Sequence, residues 1–268
     1  MSTSLRLGVM MTLDDHHQLH QLDVDFFELL IREQDDVEKV EEFLHREERC
    51  AIVHAPEKMR INGRSMLIDL ADENLARRDA FVRRINDISA MAGRYDVATV
   101  IHPGGVRPHS VGPEQLHGNL AASLASLDGK IWLENMPRRY HIEGEKWWCN
   151  IGKHPHEFVE LLPHVDGITL DISHAYLSVE NGGNDAISSF FQTLDGHIKH
   201  IHLSDAAQPD GEGLQLGDGD VDLPGLPHMH GLPVLLEIWE GHRNGGAGYI
   251  EALRRIRSSD HWFRGCVP

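Results

Sequence analysis

Seven ionisable residues share one setting in this chain. Glu28, His54, His102, Glu134, Asp171, His202 and Glu237 each lie within or just after a short apolar run, mostly toward its C-terminal end. Gathered as bare charges, such carboxylates and imidazoles would be very costly to remove from water. A divalent cation removes that cost, because carboxylate oxygen and imidazole nitrogen are its natural ligands. One acid or histidine at a strand end is ordinary, a cap for the next helix or a hydrogen-bonded loop group. Their recurrence at equivalent positions points to a metal centre.

The elements that must position them are eight runs rich in β-branched or aromatic residues, at 5–10, 24–31, 51–56, 97–105, 130–137, 167–175, 197–205 and 232–239. Helical patterns lie between most of them. In 72–93, Leu75, Phe81, Val82, Ile85 and Ile88 recur at helical spacing before Gly93, while 155–165 opens on Pro155 and 248–257 is a third such segment. Strands alternating with helices in this way predict an α/β fold: a single (β/α)8 TIM barrel over residues 1–268, its candidate site at the C-terminal face of the strands. A doubly wound open sheet would show a glycine-rich phosphate turn after an early strand. The first run instead leads into "MMTLDDHH", and no linker or internal repeat divides the chain.

The 268 residues carry 25 Lys plus Arg against 42 Asp plus Glu, a formal charge of −17. That balance argues against a broad nucleic-acid-binding surface, which needs clustered cations. Cys50, Cys149 and Cys266 form no CxxC pair, so neither a disulfide framework nor a thiolate zinc site is indicated. The start "MSTSLRLGVMMTLDD" lacks the apolar core of a signal peptide, and no apolar run reaches membrane-spanning length. A reducing cytoplasm is the expected location.

The segments "VHAP", "VIHPGG", "WLENMP", "LDISHAY", "IHLSD", "LGDGDVDL" and "LLEIWEG" occur in the order seen in the endonuclease IV family. The chain also resembles the xylose isomerase-like sugar isomerases and epimerases grouped with that family, over about residues 50–240. The resemblance implies one metal held by Glu134, Asp171, His202 and Glu237 and a second held by His54 and His102, with Glu134 bridging. Zinc, manganese or iron would suit these ligands.

Two reactions follow from the resemblance. One is isomerisation or epimerisation of a sugar or sugar phosphate, with Glu134 and Glu237 moving a proton next to a carbonyl and His174 binding a substrate hydroxyl. Asp205 would then orient His202 or its neighbours from outside the ligand shell. The other is metal-dependent hydrolysis of a phosphodiester at abasic sites in DNA. The nuclease pattern adds a third metal, held by the histidine matching His174 and an Asp-x-His before a Leu-Gly-x-Gly turn. Here "LGDG" (216–219) follows "DGEGLQ" (210–215), which holds no histidine, so Asp210 and Glu212 could substitute only with altered geometry. The isomerase pattern places an arginine soon after the His-x-x-Asp segment, and "HLSDAAQPDG" has none.

Arg60, Arg64, Arg138, Arg139 and Arg243 follow strands and are the available cations for a substrate phosphate. Trp147 and Trp148 read as part of a loop after the fifth strand, and "HMH" (228–230) as a surface pair able to take adventitious metal.

Overall fold

The computed structural model describes residues 5–142, 144–180, 183–229, 231–259 and 262, with Gln115 described in its backbone alone. His230 of the "HMH" pair and Cys266 lie outside the described residues.

The eight apolar runs become eight strands: β1 (Arg6–Met11), β2 (Phe26–Leu30), β3 (Cys50–His54), β4 (Ala98–Ile101), β5 (Ile131–Glu134), β6 (Gly167–Asp171), β7 (Ile198–Leu203) and β8 (Pro233–Leu236). Each pairs in parallel with its neighbours in sequence, and β8 pairs with β1 to close the barrel. Strands β4, β5 and β6 are buried along their whole length, as expected where helices cover a parallel sheet.

The helices are α1 (His16–Leu19), α2 (Val37–Arg46), α3 (Leu75–Gly93), α4 (Pro113–Leu124), α5 (Pro155–Val159), α6 (Ile172–Leu177), α7 (Asn184–Thr193) and α8 (Arg243–Ser258). The Asn74 side chain caps α3 by accepting from the Arg77 amide at 3.0 Å. Pro113 and Pro155 open α4 and α5, where a missing N–H costs nothing. Between β7 and β8 the described residues form no α-helix. A hairpin of Asp205–Ala207 and Gly211–Leu214 takes that place, followed by a 3-10 turn at Leu223–Gly225.

Other small sheets also rise from the C-terminal ends of the strands. Lys58–Ile61 pairs with Arg64–Leu67 after β3, and Val106–Arg107, Glu145–Cys149 and Arg139–Ile142 form a three-stranded sheet after β4 and β5. Trp147 and Trp148 therefore lie in a strand rather than in a loop, where cross-strand pairing and the Arg139 guanidinium, 4.9 Å from the Trp148 ring centre, hold them.

Strand alternation divides the core in two. Outward side chains pack against the helices in the large cluster that includes Phe27, Val53, Ile101, Leu133 and Leu170. Inward ones form a separate cluster of Phe26, Ile52, Ala98, Val100, Trp132 and Leu235 inside the barrel. Two residues further along β2, β3, β4, β5 and β8 come Glu28, His54, His102, Glu134 and Glu237. The period of two therefore stacks the polar groups one layer above an apolar floor.

Gly8 belongs to that floor. A Cβ there would come within 2.4 Å of the Phe26 ring, which is fully buried and has the His200 ring centre 6.0 Å away. Gly8→Ala is expected to lower stability by about 1–3 kcal/mol through overpacking. Denaturant unfolding checks this, and an unchanged midpoint would show that the ring has room to move.

Candidate metal centre

The strand ends bring the predicted residues together. His54, Glu134 and Asp171 are the last residues of β3, β5 and β6, His102 and Glu237 are one residue past β4 and β8, and His202 is next to last in β7. Donor atoms of Glu134, Asp171, His202 and Glu237 all lie within 4.8 Å of one another, as do those of His54, His102 and Glu134. Glu134 belongs to both groups. Glu28, His200 and His202 form a third group.

The sequence dictates how Asp171 and His174 come to share this region. The strand stops at Asp171 and α6 begins at the next residue, with Asp171 as its cap: Oδ1 accepts from the His174 amide at 2.6 Å and from Ser173 Oγ at 2.9 Å. One helical turn then returns His174 to the same end of the barrel. Asn135, beside Glu134, joins β5 to the end of β6. Its Oδ1 accepts from the Asp171 amide at 2.7 Å and its Nδ2 donates to the Asp171 carbonyl at 3.0 Å.

Three imidazoles have one nitrogen tied to the protein, which fixes where the other points. His54 Nδ1 donates to the Ala55 carbonyl at 2.8 Å, leaving Nε2 3.2 Å from Glu134 Oε2. His174 Nδ1 donates to the Asn135 carbonyl at 2.9 Å. His202 Nε2 faces both oxygens of Glu28 at 3.2 and 3.3 Å, so its Nδ1 is the atom turned toward Glu134 and Glu237. That Nδ1 is 2.9 Å from Glu237 Oε2 yet has no hydrogen-bond partner among the described residues, and Glu134 Oε1 has none either. Buried polar atoms left without partners are costly. Orphaned nitrogen and oxygen facing one another suit a shared cation, and outer-side hydrogen bonds on histidines are the usual support of metal ligands. The donor set fits a divalent ion.

Electrostatics agree with this arrangement. Burial opposes charge on Glu134, but the surrounding His202 and His102 outweigh it and hold its carboxyl well below the usual range. Burial likewise opposes protonation of His54, yet Glu134 and Glu28 raise it to about 9. His174 and His202 are raised well above the ordinary value by neighbouring carboxylates against the same opposition. Glu237, its side chain 27% exposed, is shifted upward by loss of hydration and by the charges of Asp171 and Glu134. Without a cation, protons on imidazoles balance the carboxylates.

A cavity of about 250 Å³ opens above this cluster, with Asp171, Glu237, His174, Glu212, Tyr140 and Trp239 among its lining residues. Several residues take roles that the sequence did not assign to them. Glu28 is fully buried and engages His202, a role assigned above to Asp205. The Asp205 carboxylate instead accepts from the amides of Ala206, Gly217, Gly219 and Val221 at 2.8–3.0 Å, organising the "LGDG" turn. His200 sits beneath, among Phe26 and Trp132, and burial pushes it down to about 3.

None of the five candidate arginines lines the cavity. Arg60, Arg138 and Arg243 pair with Glu33, Glu180 and Glu240, and Arg139 stacks on Trp148. Arg64 is exposed in the hairpin after β3. Asp210, a candidate for a third metal, is bound by Lys146 and by His141 at 3.2 Å.

No curated protein matches this sequence. Among solved structures, a D-tagatose 3-epimerase-like protein is similar at 20% identity and a TM-score of 0.64, covering 94% of this chain and 98% of its own. A 3-keto-D-glucoside 4-epimerase from E. coli gives 13% identity and a TM-score of 0.65, with 96% and 100% covered. Endonuclease IV from Thermus thermophilus gives 14% and 0.61, with 95% and 100% covered. At these identities the likeness shows the fold. Residues 17–259 match the sequence profile of one family, and with it the closed parallel barrel: the chain belongs to the xylose isomerase-like TIM barrel family.

Proposed function

We propose that the chain is a divalent-metal-dependent isomerase or epimerase of a sugar or sugar phosphate, built as one barrel domain and working in a reducing cytoplasm. One observation carries the reading. Donors of Glu134, Asp171, His202 and Glu237 converge within 4.8 Å at the floor of a roughly 250 Å³ cavity that no arginine lines. That volume is at the small end for a ligand pocket and suits a molecule of monosaccharide size. Cys50 and Cys149 are free and buried, in keeping with a reducing location. Among the described residues no helix is long and apolar enough to cross a membrane.

Glu134, Asp171, His202 through Nδ1 and Glu237 would hold one ion, and His54 and His102 with Glu134 a second. When bound, such a cation polarises a carbonyl and stabilises charge on its oxygen. The chain's own carboxylates then move the proton. Glu237 reaches the cavity, where one carboxylate oxygen could hold the ion while the other takes and returns the proton. Glu134 is its partner, 1% exposed and within 4.8 Å through its nearest donor. A phosphodiester hydrolase is the second reading, favoured by the His54, His102 and Glu134 group, since paired metals suit in-line displacement. The four carboxylates of the lining, Glu57, Asp171, Glu212 and Glu237, outnumber Lys58 there and oppose it.

Glu237→Gln is expected to reduce turnover at least about 100-fold and to weaken metal binding while the metal-free melting temperature holds. Solvent-deuterium incorporation into a ketose measures the first effect; full activity would remove Glu237 from the mechanism. Metal binding should also release protons, because an imidazole must be neutral to coordinate. His54 is raised to about 9, so its proton is present at neutral pH and is lost as pH rises through that value. Apparent metal affinity should therefore climb from pH 6 to about 9. Calorimetry in buffers of different ionisation enthalpy reads the release; no proton release at pH 7 would contradict the ligand assignment.

A further inference from the structure

Glu212 has no role in either ligand group, yet its placement is specific. It lies on the hairpin that replaces a helix between β7 and β8, and that hairpin is fastened from two sides. Asp205 organises the turn below it through four amides. The Trp239 amide donates to the Gly213 carbonyl at 2.8 Å, and the indole lies so close to Gly213 that a Cβ would come within 2.1 Å of the ring. Gly213 has φ +65°, so both conformation and space require glycine there. This fixes Glu212 at the cavity wall, 8% exposed, with Oε2 lacking a hydrogen-bond partner among the described residues.

Across from it stands His174, 7% exposed, with Nε2 3.4 Å from that oxygen. Its Nδ1 is committed to the Asn135 carbonyl, so only Nε2 can serve a ligand. Ser204 Oγ lines the same cavity and is likewise unpartnered among the described residues. A third metal would need another ligand here, and Asp210 is held by Lys146 and His141.

We propose that Glu212 and His174 form a clamp for hydroxyl groups that selects an unphosphorylated sugar. A carboxylate accepts hydrogen bonds and donates none, so its natural guest is an O–H. A phosphate dianion offers only acceptors and negative charge, and would meet the Glu212 carboxylate with repulsion in place of a hydrogen bond. Glu57, Asp171 and Glu237 line the same cavity and add to that repulsion, outnumbering Lys58 on its wall. Trp239, 60% exposed at the rim, offers an apolar face to the C–H side of the sugar. This clamp rests on the proposed isomerase reading and narrows its substrate from sugar or sugar phosphate to the free sugar.

Calorimetric binding to the full chain in Mn²⁺ tests it, with D-fructose, D-tagatose, D-xylulose and D-fructose 1- and 6-phosphates as probes. The wild type is expected to bind at least one free ketose and to bind both phosphates at least about tenfold more weakly. Glu212→Gln should weaken the free sugar about tenfold with metal content and melting temperature unchanged, and Glu212→Arg should improve a phosphate about tenfold. Equal binding of sugar and phosphate, failure of every free sugar to bind, an unaltered Glu212→Gln, or loss of metal in that variant each overturns the clamp. Binding is read without turnover: a wild type that holds a free sugar but exchanges no deuterium into it refutes the isomerase reading and leaves the clamp standing.

Discussion

The mutual repulsion of Glu134, Asp171 and Glu237 is the constraint on which the rest of this structure depends. At an effective dielectric constant of about 20, two like charges about 4 Å apart repel by roughly 4 kcal/mol. The donor atoms of these three lie within 4.8 Å of one another. Set against a typical folding stability of about 5–15 kcal/mol, this concentration of charge would be untenable without compensating positive charge. The barrel supplies that compensation through imidazoles. His54, His102, His174 and His202 each place a nitrogen 3.2–3.6 Å from a Glu134 oxygen. A divalent ion serves the same need with less charge spread and frees the imidazole protons.

The supporting structure follows from that need. The outer nitrogens of His54 and His202 are occupied by the Ala55 carbonyl and by Glu28, so their inner nitrogens face the centre, while the Asn135 carbonyl holds His174 Nδ1 and turns Nε2 toward Glu212. Asp171 divides its carboxylate, giving Oδ1 to the start of α6. Beneath, Phe26, Ile52, Val100, Trp132 and Leu235 seal the barrel against water. Above, the hairpins and the three-stranded sheet build the cavity walls. Rigid strands thus set the inward carboxylates and imidazoles, while the added hairpins wall the cavity above them, a division common to this barrel.

Much of this was legible in the sequence. All eight apolar runs became barrel strands, because strands buried on both faces read as continuous apolar segments. The period of two, together with strand ends, located His54, His102, Glu134, Asp171, His202 and Glu237. The partner of His202 was not legible: Glu28 is 174 residues away, and only barrel closure brings them together. Asp205, closer in sequence, proved to serve backbone amides. Glu212 was read only as a substitute ligand for a third metal, and its place at the cavity wall escaped because its hairpin carries no strong strand pattern, "GEGL" holding two glycines. The arginines misled because position after a strand says nothing about which acid a flexible side chain will meet.

Every one of these relations turns on where a cation sits. Crystals grown with Mn²⁺ and measured for anomalous scattering locate it directly. The expected result is a peak ligated by Glu134, Asp171, His202 Nδ1 and Glu237. A metal bound instead by Glu28, His200 and His202 Nε2, or no peak at full Mn²⁺ concentration, would contradict the central claim.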